Sequence, residues 1–128
     1  MKVKFQKKDS KVRRQIQRKA KEMMTNKSLT IQCMSQLYNN IDNMTKETCY
    51  NFIANPNEFT GRVLHHMWFD EESGGETQYT GKVIKVARGG QSVTIEYDIP
   101  EDDDPTFDMK TVEVIADIVL GDLTFKNS

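Results

Sequence analysis

The 128-residue sequence predicts an α+β protein, with helices first and a small five-stranded antiparallel β-barrel after them. Two observations lead there. Before Pro56 the apolar residues recur at helical spacing, and after it they alternate at period two among β-branched and aromatic residues. Glycine- and proline-containing breaks then divide the second half into five short runs.

In the first half, Val12, Ile16, Ala20, Met23 and Met24 share one stripe between lysines and arginines, which predicts an amphipathic helix. A second helix is expected after Ser28, read as its N-cap, turning Leu29, Cys33, Met34, Leu37, Tyr38 and Ile41 inward. A third, starting near Thr45, would gather Cys49, Tyr50 and Ile53. It should stop at Pro56, whose ring and missing N–H end a helix.

Beyond Pro56 the expected strands are Arg62 to Trp68, Tyr79 to Ala87, Ser92 to Asp98, Phe107 to Val114 and Leu123 to Phe125. Ser73-Gly74-Gly75, Arg88-Gly89-Gly90 and the stretch from Pro100 to Pro105 supply turns. Val93, Ile95 and Tyr97 alternate with Thr94, Glu96 and Asp98, so one face is buried and the other wet. Five strands this short cannot cover their apolar faces as a flat sheet, and closure into a barrel is expected. The organisation is therefore a basic helical region over residues 1–57 and a barrel over 58–128.

Hydrophobic residues make up 37% of the chain and charged ones 29%. No apolar run approaches the roughly 18 residues of a membrane span, so no membrane partner is expected. The start, MKVKFQKKDS, lacks the apolar stretch of a secretory signal. Cys33 and Cys49 define no disulfide framework, which favours a reducing intracellular compartment. The net charge of -1 conceals an asymmetry: residues 1–22 hold ten Lys or Arg against Asp9 and Glu22, while residues 55–128 hold six against fifteen Asp or Glu. Phosphates suit the basic arm; a cationic peptide suits the acidic body.

The aromatic positions point to a site. Trp68 ends the first expected strand and Tyr79 begins the second, across a loop Phe69–Gln78. Tyr97 and Phe107 flank the loop between the third and fourth. In an up-and-down order both loops emerge at the same end, which gathers four rings beside two acid-rich segments (Asp70, Glu71, Glu72 and Glu76; Glu101 to Asp104). Methylation strips an ammonium of N–H donors and weakens its hydration, so such a cation enters a ring-lined pocket at lower cost. Each ring face then contributes on the order of 0.5–2 kcal/mol. Aromatics at a barrel end also serve simply to complete a core.

The run Gly61-Arg62-Val63-Leu64-His65-His66-Met67-Trp68 resembles the opening of a spindlin repeat. Tyr79-Thr80-Gly81-Lys82-Val83, Ile95-Glu96-Tyr97-Asp98 and Gly121-Asp122-Leu123 are similar to later landmarks of that repeat, in the same order. The resemblance implies an SH3-like, Tudor-like barrel in a nuclear chromatin protein that binds a methylated histone-type peptide. It implies a methyl-lysine cage of Trp68, Tyr79, Tyr97 and Phe107, with Asp70 as an acidic neighbour. Three departures stand out. Tyr79 lies where the reading repeat has tryptophan, Phe107 where it has tyrosine, and the chain holds one repeat where the family has three.

Other features carry less. His65 and His66 follow one another on an expected strand and so face opposite ways; no metal site is expected from them with Cys33 and Cys49. No phosphate-cradling glycine loop or nucleophile motif occurs, so neither an enzyme nor a cofactor is expected. The cluster Lys7, Lys8, Lys11, Arg13, Arg14, Arg18, Lys19 and Lys21 reads as a nuclear-import or DNA- or RNA-binding arm, or as a solvated helix face. An adaptor using that arm is one rival function. Another is an interaction module whose Met-rich helices (Met23, Met24, Met34, Met44) pair with a helical partner or a second copy.

Overall fold

The computed structural model describes residues 10–70, 74–99 and 104–126. Ser10 opens it as a helix cap: its side-chain oxygen accepts the Arg13 N–H at 3.0 Å, and α1 runs Lys11–Met24. Ile16, Ala20 and Met23, spaced by one turn, form its buried side, as the stripe predicts. Helix α2 spans Asn43–Ala54. Asp42 Oδ1 accepts the Thr45 N–H at 2.7 Å, a bond that holds the Asp42 carboxyl below its ordinary pKa. Pro56 follows the end of α2 as expected.

The helix expected after Ser28 does not form. That segment holds one 3-10 turn, Gln32–Gln36. Ser28 caps nothing; its own N–H donates to Asn26 Oδ1 at 2.9 Å. Thr30 Oγ1 accepts the Cys33 N–H at 3.2 Å, and Asn40 turns the chain at a φ of 60°. Short polar side chains that bond nearby backbone compete with a helical ladder in this way. Met34 and Leu37 still reach the core, but Tyr38, expected inward, is 42% exposed.

Five strands form one antiparallel sheet in the order β4-β3-β2-β1-β5. They are β1 Val63–Asp70, β2 Gly75–Val86, β3 Ser92–Tyr97, β4 Thr106–Lys110 and β5 Leu123–Phe125. The sheet is open: β4 and β5 are its outer strands and do not pair with each other among the described residues. The loop expected over 69–78 is mostly strand, because the ladder continues through Trp68↔Thr77, Phe69↔Glu76 and Asp70↔Gly75. The sheet is also strongly curled. Trp68 on β1 and Phe107 on β4 bring their rings within 5.3 Å, although three inter-strand spacings in a flat sheet would part those strands by about 14 Å.

The fourth strand ends four residues earlier than expected. From Thr111 to Val119 the chain is helix α3. Its β-branched run favours a strand locally, but Thr111, Val114, Ile115 and Ile118 lie at helical spacing and are all buried. Glu113 Oε1 accepts the Lys110 N–H at 3.0 Å, and the Thr111 N–H donates to the Gln91 carbonyl at 2.9 Å.

One continuous core joins both halves of the chain. Ile16, Ala20 and Met23 of α1, Phe52 of α2, and Ile115 and Ile118 of α3 belong to the same buried cluster as Leu64, Val83, Val93 and Ile95 of the sheet. Phe52, Phe59 and Phe125 interlock at one edge with ring centroids 4.8–5.9 Å apart. The Arg62 guanidinium lies 4.8 Å from the Phe59 ring centre.

Gly81 has a specific packing role. It pairs with Tyr97 in the ladder, and a Cβ there would come within 2.9 Å of both Ile95 Cγ2 and Tyr97 Cδ1. The absent side chain lets the tyrosine ring lie down on β2. Gly81→Ala is expected to destabilise the fold by about 1–3 kcal/mol through overpacking, read from the midpoint of urea unfolding.

Candidate functional site

Strand periodicity sets which rings meet. On β1 the buried residues are Leu64, His66 and Trp68, and on β3 they are Val93, Ile95 and Tyr97. Tyr79 on β2 stands opposite His66, and Phe107 on β4 stands opposite Ile95. The inner face at one end of the sheet therefore carries Trp68, Tyr79, Tyr97 and Phe107 on four adjacent strands.

The four rings meet edge to face. Trp68 and Phe107 cross at 74° with centroids 5.3 Å apart; Trp68 and Tyr97 cross at 80° and 6.1 Å. Tyr79 and Tyr97 cross at 74° and 6.4 Å. Trp68 and Tyr97 are buried, at 3% and 2% exposure, whereas Tyr79 and Phe107 are half-buried. All four rings expected from the sequence converge, two as a floor and two reaching solvent.

Beneath the floor lies a polar chain that the sequence pattern alone did not connect. His66, fully buried, holds the Tyr97 hydroxyl at 2.7 Å through Nδ1 and Asp117 Oδ2 at 2.7 Å through Nε2. The other Asp117 oxygen accepts from Arg13 of α1, whose second terminal nitrogen donates to Asp122 Oδ2 at 2.7 Å. Burial pushes the Tyr97 hydroxyl pKa upward, so the phenol keeps its proton at physiological pH. A legible signal existed: Asp117 interrupts the apolar run Val114-Ile115-Ala116-Asp117-Ile118-Val119, and a lone acid on a buried face needs a partner.

The remaining residues singled out by the sequence divide. Asp70 continues β1 opposite Gly75, and its side chain lies outside the described residues, as do Glu71, Glu72 and the segment 100–103. Glu76, Asp98 and Asp104 are exposed carboxylates next to the ring-bearing ends of β2, β3 and β4. Lys7 and Lys8 also lie outside the described residues. Lys11, Arg14, Arg18, Lys19 and Lys21 are exposed on α1, but Arg13, grouped with them by sequence, turns inward to Asp117 and Asp122. His65 and His66 do face opposite sides of β1; His65 Nδ1 meets Thr80 Oγ1 at 3.3 Å.

Among the described residues, no three His, Cys, Asp or Glu side chains gather as a metal-binding set. No described helix is long and apolar enough to cross a membrane. No protein-family model matches the chain, and no curated protein matches it.

The two thiols differ in reactivity. Cys49 is buried and its pKa is pushed up to about 12 by burial. Cys33 is partly exposed, and hydrogen bonding from Thr30 lowers its pKa. The thiolate is the nucleophile, so iodoacetamide at pH 8 is expected to label Cys33 and leave Cys49 unmodified until the protein is denatured. Peptide mass mapping checks this.

Proposed function

We propose that the chain is a spindlin-like, Tudor-like reader whose curled sheet is an SH3-like barrel left open between β4 and β5, and that it binds a methylated lysine of a histone-type tail in the nucleus. The observation carrying this reading is the convergence of Trp68, Tyr79, Tyr97 and Phe107 through three near-perpendicular ring contacts, with two rings buried and two reaching solvent. The partly exposed Tyr79 and Phe107 beside the buried Trp68 and Tyr97 offer aromatic surface to an alkylated ammonium, the kind of surface such a cation favours. Exposed Glu76, Asp98 and Asp104 favour a basic peptide by longer-range attraction that weakens with salt. No chemistry on the ligand is needed.

The test is a calorimetric titration of trimethyl-lysine and unmodified histone H3-tail peptides. The methylated peptides should bind more tightly. Tyr79→Ala and Phe107→Ala, at half-buried positions that spare the floor, should each weaken binding by about 2–30-fold, the equivalent of 0.5–2 kcal/mol per ring. Equal affinity for both peptides would sink the reading and leave the rings as core packing.

A second reading is favoured by the exposed Lys11, Arg14, Arg18, Lys19 and Lys21 on α1: electrostatic attachment to DNA or RNA. Filter binding across a salt series should show affinity falling with salt. Replacing these five by Gln should flatten the slope by about one unit for each phosphate no longer neutralised. An unchanged slope would assign the residues to a solvated face.

A further inference from the structure

The buried chain Arg13–Asp117–His66–Tyr97 determines where protons sit beneath the rings. An ionised carboxylate only accepts hydrogen bonds, so the His66 nitrogen facing Asp117, Nε2, carries the hydrogen. Arg13 remains cationic under all ordinary conditions. Lying against Asp117 and Asp122, it supplies the positive charge that a buried carboxylate requires. Asp122, the second carboxylate on Arg13, is 21% exposed and keeps contact with water, so a second cation on the fully buried His66 would add desolvation cost for a pairing that Arg13 already gives Asp117. The imidazole is then neutral with a bare Nδ1, and the Tyr97 O–H donates to it across 2.7 Å. A phenol that donates its proton in a hydrogen bond gains electron density in its ring, and a richer π-face attracts a cation more strongly.

The groups facing His66 come from several elements. They are Asp117 of α3, Tyr97 of β3 and, on its own strand, the Trp68 ring at 4.3 Å between centroids. Beyond Asp117 stand Arg13 of α1 and Asp122. Remove Arg13, and the Asp117 charge must be matched from the other side, by a proton taken up on His66. Nδ1–H would then donate to the Tyr97 oxygen, the hydroxyl hydrogen would turn away, and the ring would lose density.

We propose that Arg13 is a positioning residue for the aromatic cluster: it keeps His66 neutral with its proton on Nε2, and so makes the Tyr97 hydroxyl a donor and its ring a stronger cation-binding face. The last step rests on the methyl-lysine reading, and the proton placement stands apart from it.

The experiment is histidine side-chain 15N NMR on the full chain between pH 5.5 and 8.5, with His65 on the opposite face as an internal comparison. In the wild type His66 should be the neutral Nε2–H tautomer at pH 7; an imidazolium or an Nδ1–H tautomer there would overturn the proposal. In Arg13→Gln the His66 titration should move to higher pH, and Arg13→Lys should largely restore it. An unmoved titration in Arg13→Gln overturns the assignment. Should that variant not fold, the wild-type tautomer decides alone.

Affinity for the trimethyl-lysine H3 peptide should fall about 3-fold in Arg13→Gln and not fall further when Arg13→Gln is added to Tyr97→Phe. An equal fall in both backgrounds would refute transmission through the hydroxyl. If no methylated peptide binds the wild type while the tautomer is as stated, the reader function fails and the proton assignment survives.

Discussion

A carboxylate with 1% exposure cannot stand alone, and Asp117 is matched by Arg13 on one oxygen and His66 on the other. Three elements meet at that single group: α1 brings the guanidinium, α3 the carboxylate and β1 the imidazole. Losing one partner of such a pair typically costs about 3–5 kcal/mol, because the remaining charge stays buried. The fork of Arg13 reaches Asp122 as well, so the turn into β5 is held by the same side chain. The angle at which α1 lies on the rest of the molecule follows from satisfying this carboxylate together with the Ile16, Ala20 and Met23 stripe. The helical half and the sheet thus share one buried core.

The aromatic cluster inherits its order from what lies beneath it. Tyr97 is fixed at both ends, its hydroxyl by His66 and its ring by the bare backbone of Gly81. Trp68 is wedged between His66 at 4.3 Å and Phe107 at 5.3 Å. Rings held this way have little conformational freedom left to lose, the condition under which the proposed binding would cost least in ordering. Tyr79 and Phe107 retain the exposure that a ligand could use.

Much of this was legible in the residues, for reasons that differ by element. The alternation Val93-Ile95-Tyr97 is a strong local signal because burial of one face imposes it directly, and the stripe Ile16-Ala20-Met23 is strong for the same reason. The four rings could be placed together because strand periodicity and hairpin order constrain them jointly. Helix α3 was concealed by its valines and isoleucines, which suit a strand until the spacing of the buried ones is counted. The segment after Ser28 misled in the opposite direction: its apolar spacing fits a helix, while Thr30 and its asparagines stop one from extending. Arg13 could not be singled out from its neighbours by charge, since only the packing of α1 against α3 distinguishes it from Arg14 and Arg18.

An open sheet exposes backbone donors and acceptors along its outer strands, and here those strands carry their own safeguards. β5 is three residues long, and β4 is five, preceded by Pro105. Exposed Asp108 and Lys110 stand on β4, charges of opposite sign that an incoming strand would have to desolvate. Short, charged and proline-flanked margins discourage edge-to-edge stacking of copies into fibrils. Resistance to edge-to-edge self-association is therefore written into the two outermost strands.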